Sequence, residues 1–80
     1  MTITAAQLTK GTVIRFQPSI LRSLKLTVRL TEDADVSPVE GNTYAVLFAH
    51  RVRPNDYDVS FGLRKVYCVN VNRIEIVRGA

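Results

Sequence analysis

From Leu24 to Thr31 the chain alternates without interruption: Leu24, Leu26, Val28 and Leu30 take one parity, Lys25, Thr27, Arg29 and Thr31 the other. That two-residue period predicts a strand with one face on a core and one in water. Slipping it by one residue would turn four aliphatic side chains outward at roughly 1.5–3 kcal/mol each, so the facing direction is firmly set. Tyr57-Asp58-Val59-Ser60-Phe61 repeats the alternation and predicts a second strand, with three apolar residues on one face. Thr43 to Val52 is apolar at both parities, Tyr44, Val46 and Phe48 on one and Ala45, Leu47 and Ala49 on the other. Such a run predicts a central strand covered on two sides. Shorter segments rich in β-branched or aromatic residues add strands at Val13–Phe16, Val66–Val69 and Ile74–Val77.

The breaks between these runs carry turn chemistry. In Pro54-Asn55-Asp56 the proline is preset for the second position of a tight turn, and Gly41-Asn42 supplies positive φ ahead of the central strand. Thr4 followed by Gln7 has the form of a capping box, which predicts one helical turn over residues 5–8. Asn70-Val71-Asn72 reads either as a 3₁₀ link into the last strand or as a bend in a continuous one. Short strands at regular spacing with almost no helix predict an all-β domain. At this length a closed barrel removes edges that a small sandwich would expose. The expectation is a small SH3-like barrel of about five to six antiparallel strands with a short N-terminal helical turn. Residues 17–42 then form a long insertion between the first and second barrel strands, with residues 24–31 as an extra strand lying on it.

Composition narrows the picture. Eighty residues support one core and hence one domain over residues 1–80, and 46% hydrophobic against 22% charged residues excludes a disordered chain. One cysteine, Cys68, and one histidine, His50, supply neither an intrachain disulfide nor four zinc ligands. The longest apolar run, Tyr44 to Ala49, is far short of the roughly 20 residues of a spanning helix. With Met1 read as a native start and no leader pattern in residues 1–10, a cytoplasmic location is expected. Eleven Lys+Arg against seven Asp+Glu give a net charge of +4, which favours acidic partners. The charge is segregated: Lys10, Arg15, Arg22, Lys25 and Arg29 precede the first acid, and Glu32, Asp33, Asp35 and Glu40 then reverse the sign. Basicity returns at Arg51, Arg53, Arg64 and Lys65.

Catalytic chemistry finds little support. His50 shares a strand parity with Val46 and Phe48 and reads as a half-buried or edge histidine; Cys68, among Val66 and Val69, reads as a small hydrophobe. Asp56 and Asp58 straddle Tyr57 and would sit roughly 6–7 Å apart on one strand face. That separation occurs in glycosidases, but without a deep cleft the pair reads as a solvated turn. A calcium loop counted from Asp33 puts Pro38 where glycine belongs and Tyr44 where the bidentate glutamate belongs. Glycines at 11, 41, 62 and 79 are too dispersed to cradle a phosphate. No catalytic residue, cofactor, metal or small-molecule substrate is expected.

The run Ala6-Gln7-Leu8-Thr9-Lys10-Gly11-Thr12-Val13-Ile14-Arg15-Phe16, a strand pair ending near Phe61-Gly62, and Val66-Tyr67-Cys68-Val69 leading to Ile74-Glu75-Ile76-Val77 together resemble the small SH3-like barrel proteins encoded by actinobacterial phages. The resemblance implies a phage origin, action in the host cytoplasm and an accessory binding role without a reaction. Lys10-Gly11-Thr12-Val13-Ile14 is also similar to the opening of KOW-type ribosomal barrels, whose later glycines are missing here. The function expected is therefore a non-enzymatic module that binds a host or phage protein, or a second copy of itself. Its contact residues are expected to be Lys25, Thr27, Arg29, Arg51 and Arg53. The alternative is single- or double-stranded nucleic acid on the same basic surface. It ranks second because Phe16 and Phe48 read as core and Tyr57 and Phe61 share an apolar face with Val59. That leaves only Tyr44 or Tyr67 as exposed stacking platforms.

Overall fold

A computed structural model describes residues 4–18 and 24–80. Arg22, counted above among the bases, lies outside the described residues. Six strands follow a 3₁₀ turn at Ala5–Gln7: β1 (Val13–Phe16), β2 (Leu26–Leu30), β3 (Asp35–Val39), β4 (Asn42–Arg53), β5 (Asp56–Asn70) and β6 (Ile74–Arg78). A second 3₁₀ turn, Val71–Arg73, joins β5 to β6. All pairings are antiparallel, and the sheet curls into a half-barrel. β4 is its spine. β5 runs along one edge of β4, while β2 and β3 share the other edge in succession; β2 then pairs with β1 and β1 with β6.

Six strands were expected, but two of them differ in origin. Tyr57–Phe61 and Val66–Val69 are parts of one strand, β5, and the sixth strand is β3, from within the segment expected to be an insertion over residues 17–42. Nor is residues 24–31 an extra strand on an insertion: β2 is the second strand of the sheet, paired on both sides. β2 and β3 behave as one long strand bent at 31–34, where five residue steps from Leu30 to Asp35 are set against three on β4. Thr31 fixes the bend by donating its N–H (2.8 Å) and its Oγ1 hydroxyl (2.9 Å) to the carbonyl of Phe48. The N-terminal segment closes over the same place: Ala34 N–H donates to the Leu8 carbonyl at 2.8 Å, and Lys10 N–H to Asp33 Oδ1 at 2.9 Å. In the first turn the Thr4 N–H donates to Gln7 Oε1, as the expected capping box requires.

The core lies inside the curl. Leu8, Ile14, Phe16, Val28, Leu30, Ala45, Leu47, Ala49, Val69, Val71 and Ile74 are buried together, with Tyr67 set edge-on to Phe16 at 5.1 Å between centroids. Burying a Leu or Phe side chain is worth about 1.5–3 kcal/mol, so these residues supply most of the driving force. Two expectations fail at the margins. Leu24 precedes β2 and is 62% exposed, because the pairing with β1 ends at Leu26. Phe48 has outward parity on β4 and is half-buried, not core.

Turn geometry follows the local chemistry. Glu40 and Gly41 both have positive φ, the signature of a two-residue type I′ hairpin turn, and they connect Val39 to its partner Asn42. The Asn70 side chain caps the second 3₁₀ turn by accepting from Asn72 N–H at 3.0 Å, so the link is a turn and not a bent strand. β5 carries its own irregularity: four steps from Phe61 to Lys65 face two on β4, with Gly62 at φ +75° inside the bulge. A Cβ added at Gly62 would meet nothing within 4 Å, so the cost of Gly62→Ala is purely that of the left-handed backbone, about 1–2 kcal/mol. Urea unfolding should show that loss for G62A and none beyond a few tenths for G79A, where no positive φ is imposed.

Candidate binding surface

Two faces of the sheet point away from the core, and they differ in chemistry. On β6-β1-β2 the outward residues are polar: Glu75 is the register partner of Arg15, Arg15 of Thr27, and Arg29 of His50. Arg15 Nε donates to Thr27 Oγ1 at 3.3 Å. Val13 and Val52 share this outward side yet are buried, which requires a cover. The tip of the β4–β5 hairpin provides it. Arg29 Nη1 donates to the Tyr57 carbonyl at 2.9 Å, the Arg78 guanidinium lies 5.5 Å above the Tyr57 ring, and Arg78 Nη2 bridges to Asp58 Oδ1 at 3.3 Å. Three contacts thus fold the tip back over β1 and β2.

The five residues expected to form one basic face are dispersed by this arrangement. Thr27 is buried to within 9% and accepts from Arg15; Arg29 is half-buried and spends its guanidinium on the hairpin tip. Arg51 is the register partner of Val28, so its side chain leaves the sheet on the side opposite Arg29. Arg53 stands beside the tip as partner of Asp56, and Lys25 is exposed ahead of β2. Lys25 borders a shallow depression with Gln17, Asn72, Arg73 and Glu75.

A different cluster emerges on the β4–β5 arm. Val59 is 40%, Phe61 41% and Leu63 82% exposed, although the alternation of Tyr57–Phe61 predicts a buried face. The bulge at Gly62 turns this half of β5 away from the core. The Arg51 guanidinium sits 5.0 Å from the Phe61 ring centroid, and Lys65 emerges on the same side two positions along the pairing. Lys25, Arg51, Arg53 and Lys65 form no ion pair among the described residues, whereas Arg64 and Arg78 are engaged with Glu32 (2.9 Å) and Asp58. Sequence reasoning missed Phe61, Leu63 and Lys65 because a parity pattern does not reveal a bulge; the only signal was a glycine within a strand.

The other chemical candidates are now placed. His50 is half-buried, and its Nδ1 is enclosed without a hydrogen-bond partner. Cys68 has outward parity and is exposed, so it does not act as a buried hydrophobe. The Asp56 carboxylate accepts from the N–H of Asp58, and Asp58 bridges to Arg78, so both are occupied in the turn. Among the described residues no three His, Cys, Asp or Glu side chains converge as a metal site requires, and no helix is long and apolar enough to cross a membrane. No protein-family model, curated protein or solved structure matches the chain.

The tip contacts make a measurable claim. Arg29→Met keeps the aliphatic stem but removes the donor to Tyr57, and should cost roughly 1–2 kcal/mol. Amide exchange at residues 55–58 should quicken while β1 and β4 stay protected; unchanged exchange at the tip would show that Arg29 does not hold it.

Proposed function

We propose that the chain is a non-enzymatic binding module of the SH3-like barrel type, and that its ligand is a protein bearing an apolar strip beside acidic residues. Support for the barrel type comes from connectivity: a long second strand bent in the middle, each half serving β4, and a 3₁₀ turn leading to a last strand that returns to β1. The resemblance to small phage barrels supports an accessory role in a host cytoplasm. The observation that carries the binding reading is the arm, where Val59 and Phe61 are half-exposed and Leu63 is exposed next to Arg51, Arg53 and Lys65, cations that form no ion pair among the described residues. Exposed apolar side chains gathered on one element and rimmed by charge mark interaction surfaces. Arg51 and Arg53 remain from the basic set read in the sequence, Lys25 lies apart from the arm, and Thr27 and Arg29 serve the fold.

One feature favours nucleic acid as a second reading. Arg51 stacked beside a half-exposed Phe61 is the pairing of cation and aromatic platform on which single strands bind. The sequence ranked this reading lower on the premise that Phe61 is buried.

The two readings separate experimentally. Immobilised protein should retain a defined protein from a bacterial lysate, and Leu63→Ser and the R51E/R53E pair should each lower its retention about tenfold or more, with the far-UV spectrum unchanged. Retention indifferent to both changes would overturn the arm as the contact. Nucleic acid predicts instead that a labelled single-stranded oligonucleotide binds at low salt, loses affinity steeply as salt rises, and is released by Phe61→Ser.

A further inference from the structure

One row of side chains crosses the outward side of the sheet from β6 to β4: Arg78, Val13, Arg29 and His50 are successive register partners. Paired strands stand about 4.8 Å apart, so Arg78 and Arg29 flank Val13 at roughly 10 Å from one another. Val13 and Val52, the latter two positions beyond His50 on β4, are buried, yet neither belongs to the main core cluster. They form the floor of a separate small site, and the tip of the β4–β5 hairpin occupies it. The tip is not held there by the strand ladder. Pairing stops at Val52 and Ser60 and resumes only at Arg53 and Asp56 beside the turn, so Tyr57, Asp58 and Val59 have no register partner on β4. Side chains hold them instead. Arg29 Nη1 donates to the Tyr57 carbonyl at 2.9 Å, the Arg78 guanidinium lies 5.5 Å from the Tyr57 ring centroid, and Arg78 Nη2 meets Asp58 Oδ1 at 3.3 Å. Two guanidinium groups thus receive a carbonyl, an aromatic face and a carboxylate from two consecutive residues.

The fit is incomplete at both ends of the row. The Asp58 side chain is 80% exposed, which leaves its ion pair with Arg78 weak and open to competition. His50 Nδ1 is enclosed without a hydrogen-bond partner among the described residues, and a buried polar group left so is costly. We propose that the row of Arg78, Val13, Arg29 and His50 is a recognition site for a peptide segment in which an aromatic residue is followed by an acid, and that Tyr57-Asp58 is its internal surrogate. The Arg29 contact selects a peptide, because the group it takes is a main-chain carbonyl. An incoming segment repeats the contacts that the tip makes and can add the hydrogen bond that His50 lacks, so the exchange costs little beyond ordering the segment. Arg29 leaves the sheet on the side opposite Arg51, and the row uses none of Phe61, Leu63 or Lys65, so this site does not rest on the reading of the arm as a contact surface.

A synthetic peptide of residues 53–60 serves as the probe, with the full chain as receptor. In the unaltered protein the attached tip competes at high effective concentration, so the peptide should bind weakly. Tyr57→Ser with Asp58→Asn (Y57S/D58N) empties the tip of both groups and should bind the peptide about tenfold or more tighter, with D58N alone in between. Adding R29M and R78M to Y57S/D58N should abolish that binding, and a peptide with serine in place of its tyrosine and second aspartate should not bind at all. Amide protection in β1 and over residues 44–49 reports that each variant is folded; should Y57S/D58N lose it, D58N decides by the same criterion. No binding to any variant even at millimolar peptide, equal affinity for the unaltered protein and Y57S/D58N, or binding indifferent to R29M and R78M would overturn the proposal. A single-stranded oligonucleotide that binds Y57S/D58N where the peptide does not, and is released by R29M and R78M, would overturn the assignment to a peptide. Lysate capture that depends on Leu63 without any peptide binding would sink this site and leave the arm standing.

Discussion

The Phe48 carbonyl accepts two hydrogen bonds from one residue, the N–H and the hydroxyl of Thr31, and the curl of the sheet depends on that junction. Without it, β2 and β3 would have no reason to share an edge of β4 while two extra residues loop out between them. With it, β2 is directed toward β1 and β3 toward the start of β4, and one bent strand lines both halves of the core. The surrounding polar contacts serve the same bend. Leu8 accepts from Ala34, Leu30 accepts from Gly11, and Asp33 takes the N–H of Lys10. Asp33, counted in the sequence only as part of an acidic run, is part of the framework of a corner.

The strands Leu26–Leu30 and Asn42–Arg53 were legible because their side-chain parity is clean and their core-facing members are aliphatic, while Leu24 continued the pattern past the end of the pairing. The first 3₁₀ turn and both tight hairpin turns were legible from Thr4, Gln7, Pro54 and Gly41, residues whose local hydrogen bonding or φ preference acts without tertiary help, whereas Asn70-Val71-Asn72 fitted a bent strand equally well until the Asn70 cap decided it. β3 was not, since Asp35, Ser37 and Pro38 have poor strand propensity and the segment pairs only because the bend presents it to β4. The continuity of β5 was hidden by Gly62-Leu63-Arg64, where a bulge masquerades as a break.

The candidate surface was less legible than the fold, for a definite reason. Charge can be counted along a chain, but whether a guanidinium is available depends on what lies opposite it. Arg29 looked free and is spent on the Tyr57 carbonyl; Arg51 looked equivalent to it and leaves the sheet on the other side. Phe61 looked buried and stands in water. The outward row of β4 was expected to be covered like the inward one, and among the described residues Tyr44, Val46 and Phe48 are only half-buried.

Pro38 has a consequence of a different kind. Among the described residues the half-barrel leaves lateral edges on β3, β5 and β6, the sort of template from which cross-β stacking grows. Proline within the five residues of β3 removes a backbone donor from that edge strand, and the glycine bulge bends β5 out of plane. Strand-by-strand accretion is thereby discouraged at two of the three edges, and β6, which has neither proline nor glycine, is the edge left to its charged residues Glu75 and Arg78.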